Sequence, residues 1–387
     1  MHFQLSKELE MLQQAVREFA AKKIAPFADE WDADHHFPYK EAIVPMGELG
    51  FFGTVIPEQY GGENLGWLAA CIVTEEIARV SSSLRVQVNM QGIGSAHTIY
   101  TYGSEHLKKK YIPKLVRAEW VGGFAITEPD AGSDVLSIAS EAEDRGDHWI
   151  LNGSKTWISN ASYADVIVYY AYTDRSRGSK GLSAFVLEPK NFNGVRTTEL
   201  SKMGSHSSPT GEIFCDNTKV PKENTLGNPG DGAGIVFGSL NQTRLSCAAG
   251  AVGVAQALLD TTVKYCNQRK QFGKPIGEFQ MNQDMIAQMS TEIEAARLLV
   301  YRAGWGKDQG NLNNGLDVAH AKYFAGEVAM KCAGYAMRIL GAYGYSTEYP
   351  VARFYRDAPT YTMVEGSANI CKWIIALDRL GIRKANR

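Results

Sequence analysis

Glu365 is the one carboxylate in the run Tyr361-Thr362-Met363-Val364-Glu365-Gly366-Ser367-Ala368-Asn369-Ile370. Apolar and small neighbours allow a bound ligand to strip it of water, and a desolvated carboxylate is a stronger base. Taken singly, a glutamate in such a place is more often a solvated helix-end side chain, so the reading needs support from elsewhere. A second stretch, Ala125-Ile126-Thr127-Glu128-Pro129-Asp130-Ala131-Gly132-Ser133-Asp134, is a turn whose N–H groups and hydroxyls can face a polar ligand. Turns of this composition are common in any β domain. A third, Lys155-Thr156-Trp157-Ile158-Ser159-Asn160, joins an indole to two hydroxyls. An indole stacks on flat aromatic ligands, and equally often it is simply core. No Gly-x-Gly-x-x-Gly follows a strand pattern, so a dinucleotide would not rest on a Rossmann unit.

These segments need elements to place them. Up to about Ala118 the pattern is helical: Leu9, Leu12, Val16 and Phe19 recur at spacings of three and four, with Ser6 as N-cap. From Val121 to Val220 come short β runs at 149–151, 166–172, 182–187 and 212–215, separated by Gly, Asn, Asp and Ser. After the loop 228–232 helices resume, and Met285, Met289, Ile293, Ala296 and Val300 form one stripe. The expectation is an α+β multidomain chain with a helical domain at 1–120, a β domain at 121–226 and a helical bundle at 227–387.

With 40 basic and 42 acidic residues and a net charge of -2, the 387-residue chain lacks the basic footprint of a nucleic-acid binder. Its six cysteines are scattered without a CxxC pair, as in a reducing compartment, and the eight histidines, His35-His36 included, suggest no metal site. The first residues enter an amphipathic helix directly, which predicts a cytoplasmic protein, and no apolar run is read as crossing a bilayer.

In order and spacing, the three segments above together with Arg269-Lys270-Gln271-Phe272-Gly273 resemble the acyl-CoA dehydrogenase family, and the resemblance covers essentially the whole chain. It implies an N-terminal helical domain, a middle β-barrel-like domain, a C-terminal four-helix bundle and bound FAD. The matching flavin residues are Phe124, Thr127, Ser133, Trp157, Ser159, Ser367 and Asn369; Ser159, Ser367 and Asn369 stand where the family usually has Thr, Thr and Gln. Arg269, Gln271, Phe272, Arg338 and Gly341 match positions that hold the adenosine half, partly across a subunit boundary. Arg338 and Ala342 depart from the usual Gln or Glu and Gly-Gly of that signature. The resemblance further implies a homotetramer and an electron-transfer flavoprotein as acceptor. By the same resemblance Glu365 removes the α-proton of an acyl-CoA while hydride leaves the β-carbon, and Ser133, Asn241, Arg244 and Val364 adjoin the substrate.

Within the family the resemblance is strongest to the branch that oxidises glutaryl-CoA. There an Arg at the position of Arg85 holds the distal carboxylate, a task suited to a planar, permanently charged fork. Decarboxylating members carry Tyr just before the catalytic Glu and a second Glu ahead of the Arg. This chain has Val364 and Ala78 at those places, so oxidation is expected to stop at glutaconyl-CoA, as in anaerobic bacteria. The alternatives are a decarboxylating glutaryl-CoA enzyme, a dehydrogenase for another dicarboxylic thioester such as a substituted succinyl-CoA, an acyl-CoA oxidase, and an inactive flavin-binding subunit.

Overall fold

The computed structural model describes residues 4–382. Its first helix, Lys7–Phe19, starts where Ser6 accepts from the Leu9 N–H at 3.4 Å, and it buries Val16 and Phe19. Further helices follow as far as Glu105–Val116.

The strands are β1 (Gly122–Ala125), β2 (Glu141–Asp144), β3 (His148–Ser159), β4 (Val166–Tyr172), β5 (Leu182–Leu187), β6 (Val195–Glu199), β7 (Thr210–Pro221) and β8 (Thr225–Leu226). They form one mixed eight-stranded sheet in the open order β6-β7-β3-β2-β4-β5-β8, with β1 added parallel to β4. The apolar runs at 166–172 and 182–187 are unbroken because both faces are covered. Ile167, Tyr169, Ala171, Phe185 and Leu187 join Trp149 and Leu151 in a core between the layers of the folded sheet. Val166, Val168, Tyr170 and Val186 turn the other way, onto helical residues such as Ile99, Leu115 and Val236.

The C-terminal part packs helices Gly232–Gln268, Gln280–Asp308, Gly315–Leu340 and Ala368–Arg379. The expected stripe faces inward, with Met289, Ile293, Ala296 and Val300 buried and Met285 half-buried against them. Helix Trp67–Ala78 of the first domain shares this core through Trp67, Cys71 and Ala78. Small residues at 248–255 bring the long central helix this close. A Cβ on Gly253 would lie 2.2 Å from the Glu75 carbonyl oxygen, and one on Gly250 would lie 2.9 Å from Arg85 Cδ and 3.1 Å from Tyr361 Cε1. All six cysteines are buried and unpaired.

One expectation is corrected by this helix. Gly232–Gln268 is long and apolar enough to cross a bilayer. Its apolar residues are mostly Ala, Gly and Val, so they do not stand out as an apolar run, and its most apolar part is mostly buried inside the fold.

Candidate active site

Glu365 lies two residues beyond the short helix Thr360–Met363 and has a left-handed backbone with φ 58°, followed by Gly366 at φ 83°. Its carboxylate is half-buried. Asn89 Nδ2 donates to Oε1 at 3.2 Å, and the Thr243 hydroxyl donates to Oε2. Arg244 Nε donates to the Glu365 carbonyl at 2.8 Å, and Lys322 Nζ donates to the Gly366 carbonyl at 2.7 Å. A Cβ at 366 would stand 2.8 Å from Arg244 Nε, so glycine is needed for that approach as well as for its φ. The Glu365 N–H has no protein acceptor among the described residues.

Arg85 is 2% exposed, yet no carboxylate pairs with it among the described residues. Its Nε donates to the Tyr361 hydroxyl at 3.1 Å, its guanidinium carbon lies 4.7 Å from the centre of that ring, and Ser82 Oγ lies 2.9 Å from the same hydroxyl. Burial works against its charge, but the Tyr361 phenol, Cys247 and Glu365 outweigh it and hold the guanidinium above its ordinary value. Arg85 and Asn89 are four residues apart on one continuous helical stretch, so they share a face. One meets Tyr361 and the other Glu365, which are themselves four residues apart. An unneutralised cation therefore lies within a helical turn of the group that holds the candidate base.

The β domain contributes a second surface. Glu128 is buried, accepting from the Ser140 N–H at 3.0 Å, Ser140 Oγ at 2.6 Å, the Ala139 N–H and Lys155 Nζ at 2.7 Å. Lys155 is fully buried, and burial pulls its amine down to about 8 against the opposing pull of Glu128. Burial tends to raise the Glu128 carboxyl, but Lys155 and Ser140 outweigh it and hold it below its ordinary value. This pair ties the turn after Thr127 to β3, and the Thr156 N–H donates to the Thr127 carbonyl at 2.9 Å. Next in the chain, Trp157 sits at φ 61° where β3 slips register against β7, and 59% of it is exposed. Asn160, at φ 65°, exchanges amide bonds of 2.9 Å with Gln87 and donates to the Gly122 carbonyl at 2.8 Å. That links the β domain to the helix of Arg85. An indole held outward on such a backbone, beside the Thr127 turn and half-buried Ser159, has no packing reason for its pose and fits the flat ring of a flavin.

The remaining expected residues divide. Phe124 is buried, its ring centre 5.5 Å from that of Tyr170 in an edge-to-face pair, chiefly a core residue. Ser133 is exposed on the turn, and Val364 is exposed beside Glu365. Ser367 is the N-cap of Ala368–Arg379, accepting from the Ile370 N–H at 3.3 Å, and Asn369 is exposed in the first turn. Asn241 donates to the Leu312 carbonyl at 3.2 Å instead of joining Glu365. Arg269, Gln271 and Phe272 lie on a small exposed hairpin, with Phe272 94% exposed. The Arg269 guanidinium is 5.8 Å from the Tyr343 ring, which places the hairpin beside Arg338 and Gly341 at the end of Gly315–Leu340. No hydrogen bond or ring contact joins this group to Trp157 among the described residues. Sequence reasoning missed Asn89, Tyr361 and Lys322 as site residues. The only local signal was the four-residue step from Arg85 to Asn89 and from Tyr361 to Glu365.

Three domains in the order helical, sheet, helical, with a guarded carboxylate in the last and an outward-held indole in the middle one, are the plan of flavoenzymes that oxidise thioesters, and the chain belongs to the acyl-CoA dehydrogenase family. It matches that family's N-terminal domain over residues 6–119, its middle domain over 123–218 and its C-terminal domain over 230–379. It is therefore an FAD-dependent oxidoreductase acting on acyl-CoA. It is 74% identical over 389 residues, with all of both chains covered, to a glutaryl-CoA dehydrogenase of Desulfococcus multivorans. A solved glutaryl-coenzyme A dehydrogenase in complex with glutaryl-CoA superimposes with a TM-score of 0.98 at 74% identity, covering 100% of this chain and 98% of that one. An isovaleryl-CoA dehydrogenase, mitochondrial, of Oryza sativa subsp. japonica is 39% identical over 371 residues, covering 95% of this chain and 90% of its own.

Proposed function

We propose that the chain oxidises glutaryl-CoA to glutaconyl-CoA and retains the carboxyl group. The observation that carries this reading is Arg85: a buried guanidinium without a carboxylate, one helical turn from the residue that holds Glu365. A buried cation is stabilised by an anion brought to it, and a five-carbon diacid thioester supplies one at the far end from its reacting carbons. Tyr361, steadied by Ser82, aims Arg85 at that carboxylate.

FAD, when bound, supplies the acceptor for the hydride that leaves the β-carbon. The chain's own part is to orient the thioester and take the α-proton. The unpaired Glu365 N–H is available to the thioester carbonyl oxygen, where negative charge gathers as the proton leaves. Glu365 Oε1 or Oε2 takes that proton once Asn89 or Thr243 gives up its bond. Trp157 would back the flavin, and Thr127 and Ser159 would offer it hydroxyls. Beside the base, the aliphatic Val364 provides no group to pass a proton to a product that has lost CO2.

The hairpin residues Arg269, Gln271 and Phe272, with Arg338 and Gly341, are read as holding the adenosine half for a neighbouring subunit of a homotetramer. Their separation from Trp157 supports that reading. An electron-transfer flavoprotein as acceptor, a cytoplasmic setting and domain limits at 120 and 226 belong to the same proposal. Anaerobic turnover of glutaryl-CoA with an artificial acceptor and mass analysis of the product tests it. Glutaconyl-CoA is expected; crotonyl-CoA would overturn the retention of CO2, and no turnover would overturn the substrate.

A further inference from the structure

Lys322 lies about two turns into Gly315–Leu340 with 1% of its surface exposed, and no carboxylate pairs with it among the described residues. An ammonium buried without a counter-ion is costly, so its setting calls for an explanation. Among the described residues its one acceptor is the Gly366 carbonyl at 2.7 Å. The buried thiols of Cys247 and Cys371 lie close enough to feel its charge, and Cys371 also approaches the Gly366 carbonyl at 3.8 Å. One turn further along the helix, a Cβ on Gly326 would stand 2.6 Å from the Tyr361 carbonyl oxygen. Backbone contact with the segment that carries Glu365 thus fixes where Lys322 reaches. From the other side, Arg244 takes the preceding carbonyl, that of Glu365, at 2.8 Å. Two successive carbonyls of a left-handed turn are therefore held by cations from two different helices.

We propose that Lys322 is a positioning residue for α-proton transfer. It holds the Gly366 carbonyl while Arg244 holds that of Glu365, and together they fix the turn that directs the Glu365 N–H to the thioester oxygen. Its uncompensated charge also favours the negative charge growing on that oxygen, because field effects are strong in a dry site. The inference rests on Glu365 being the base and on its N–H serving the thioester.

The test separates proton removal from oxidation. Holoenzyme is kept anaerobic with its flavin held reduced, glutaryl-CoA is added in D2O, and deuterium at the α-carbon is followed by mass spectrometry. In Lys322→Met, exchange is expected to fall about 10- to 100-fold, equivalent to about 1.4–2.7 kcal/mol, with glutaryl-CoA binding within about threefold of the parent. Lys322→Ala supplemented with propylammonium is expected to regain exchange, which a purely structural role would not allow. Exchange at the parent rate in Lys322→Met overturns the proposal, as does a loss that merely tracks folded protein or binding. Should Lys322→Met not fold, Lys322→Ala decides: absence of rescue by the amine overturns the proposal. Glu365→Gln is the separate arm: exchange surviving in that variant refutes the base itself, whatever Lys322 does.

Discussion

Replacing Arg85 with glutamine should cut activity on one thioester, spare another and lower stability. The side chain is buried, its charge has no carboxylate partner among the described residues, and its Nε donates to the Tyr361 hydroxyl at 3.1 Å. If a substrate carboxylate completes the pair, glutamine removes one partner of a buried charged contact, a loss of about 2–5 kcal/mol. At about 1.36 kcal/mol per decade this is a fall of about 30- to 5,000-fold in kcat/KM for glutaryl-CoA. Butyryl-CoA lacks the distal carboxylate and should change within about threefold. Without substrate, the Tyr361 phenol, Cys247 and Glu365 already outweigh the cost of dehydrating the cation. Glutamine can keep the phenol contact but loses the favoured charge, so the urea midpoint should fall. The assay is paired kinetics with the two thioesters and urea unfolding of both proteins. Equal losses on both thioesters, or an unchanged or higher midpoint, would refute the reasoning.

Two other perturbations test the surroundings. Gly250→Ala places a methyl 2.9 Å from Arg85 Cδ and 3.1 Å from both Arg85 Nε and Tyr361 Cε1, so the arginine must shift. Such overpacking costs about 1–3 kcal/mol in urea unfolding, and KM for glutaryl-CoA should rise by more than that for butyryl-CoA. Lys155→Met breaks the buried pair under the Thr127 turn and should leave the purified protein short of flavin, read from its absorbance ratio. The folded Glu128 carboxyl sits below its ordinary 4.5, so its contribution is fully present above that pH and lost as pH falls through the folded value. The urea midpoint of Lys155→Met should therefore show a shallower decline between neutral and acid pH than the parent; parallel declines would count against the pair.

Local pattern carried much of the fold. The limits of β4 and β5 coincide with their apolar runs because each is bounded by polar turns and buried on both faces. Likewise the stripe from Met289 to Val300 needs only the helical period to be seen. What stayed hidden is contact across long stretches of chain. Ser82 and Tyr361 meet over 279 residues, and Asn89 meets Glu365 over 276, so no window of sequence contains both partners. Lys322 reads as one more lysine in an amphipathic helix until the packing of Gly326 shows what it faces. Ser367 teaches the converse. Its hydroxyl, three residues before Ile370, already has a local use as a helix cap, which a motif match does not reveal.

Trp157, Asn160 and Glu365 all occupy backbone angles that glycine would adopt without strain, each at a cost of about 1–2 kcal/mol for an L side chain. Sorting variants of this chain by heat resistance alone would therefore favour glycine at 157 and 365, where the proposed chemistry needs indole and carboxylate, whereas the bonds of Asn160 to Gln87 and Gly122 offset its strain. Durability and turnover pull against each other at single residues, and sturdier descendants must gain their robustness elsewhere.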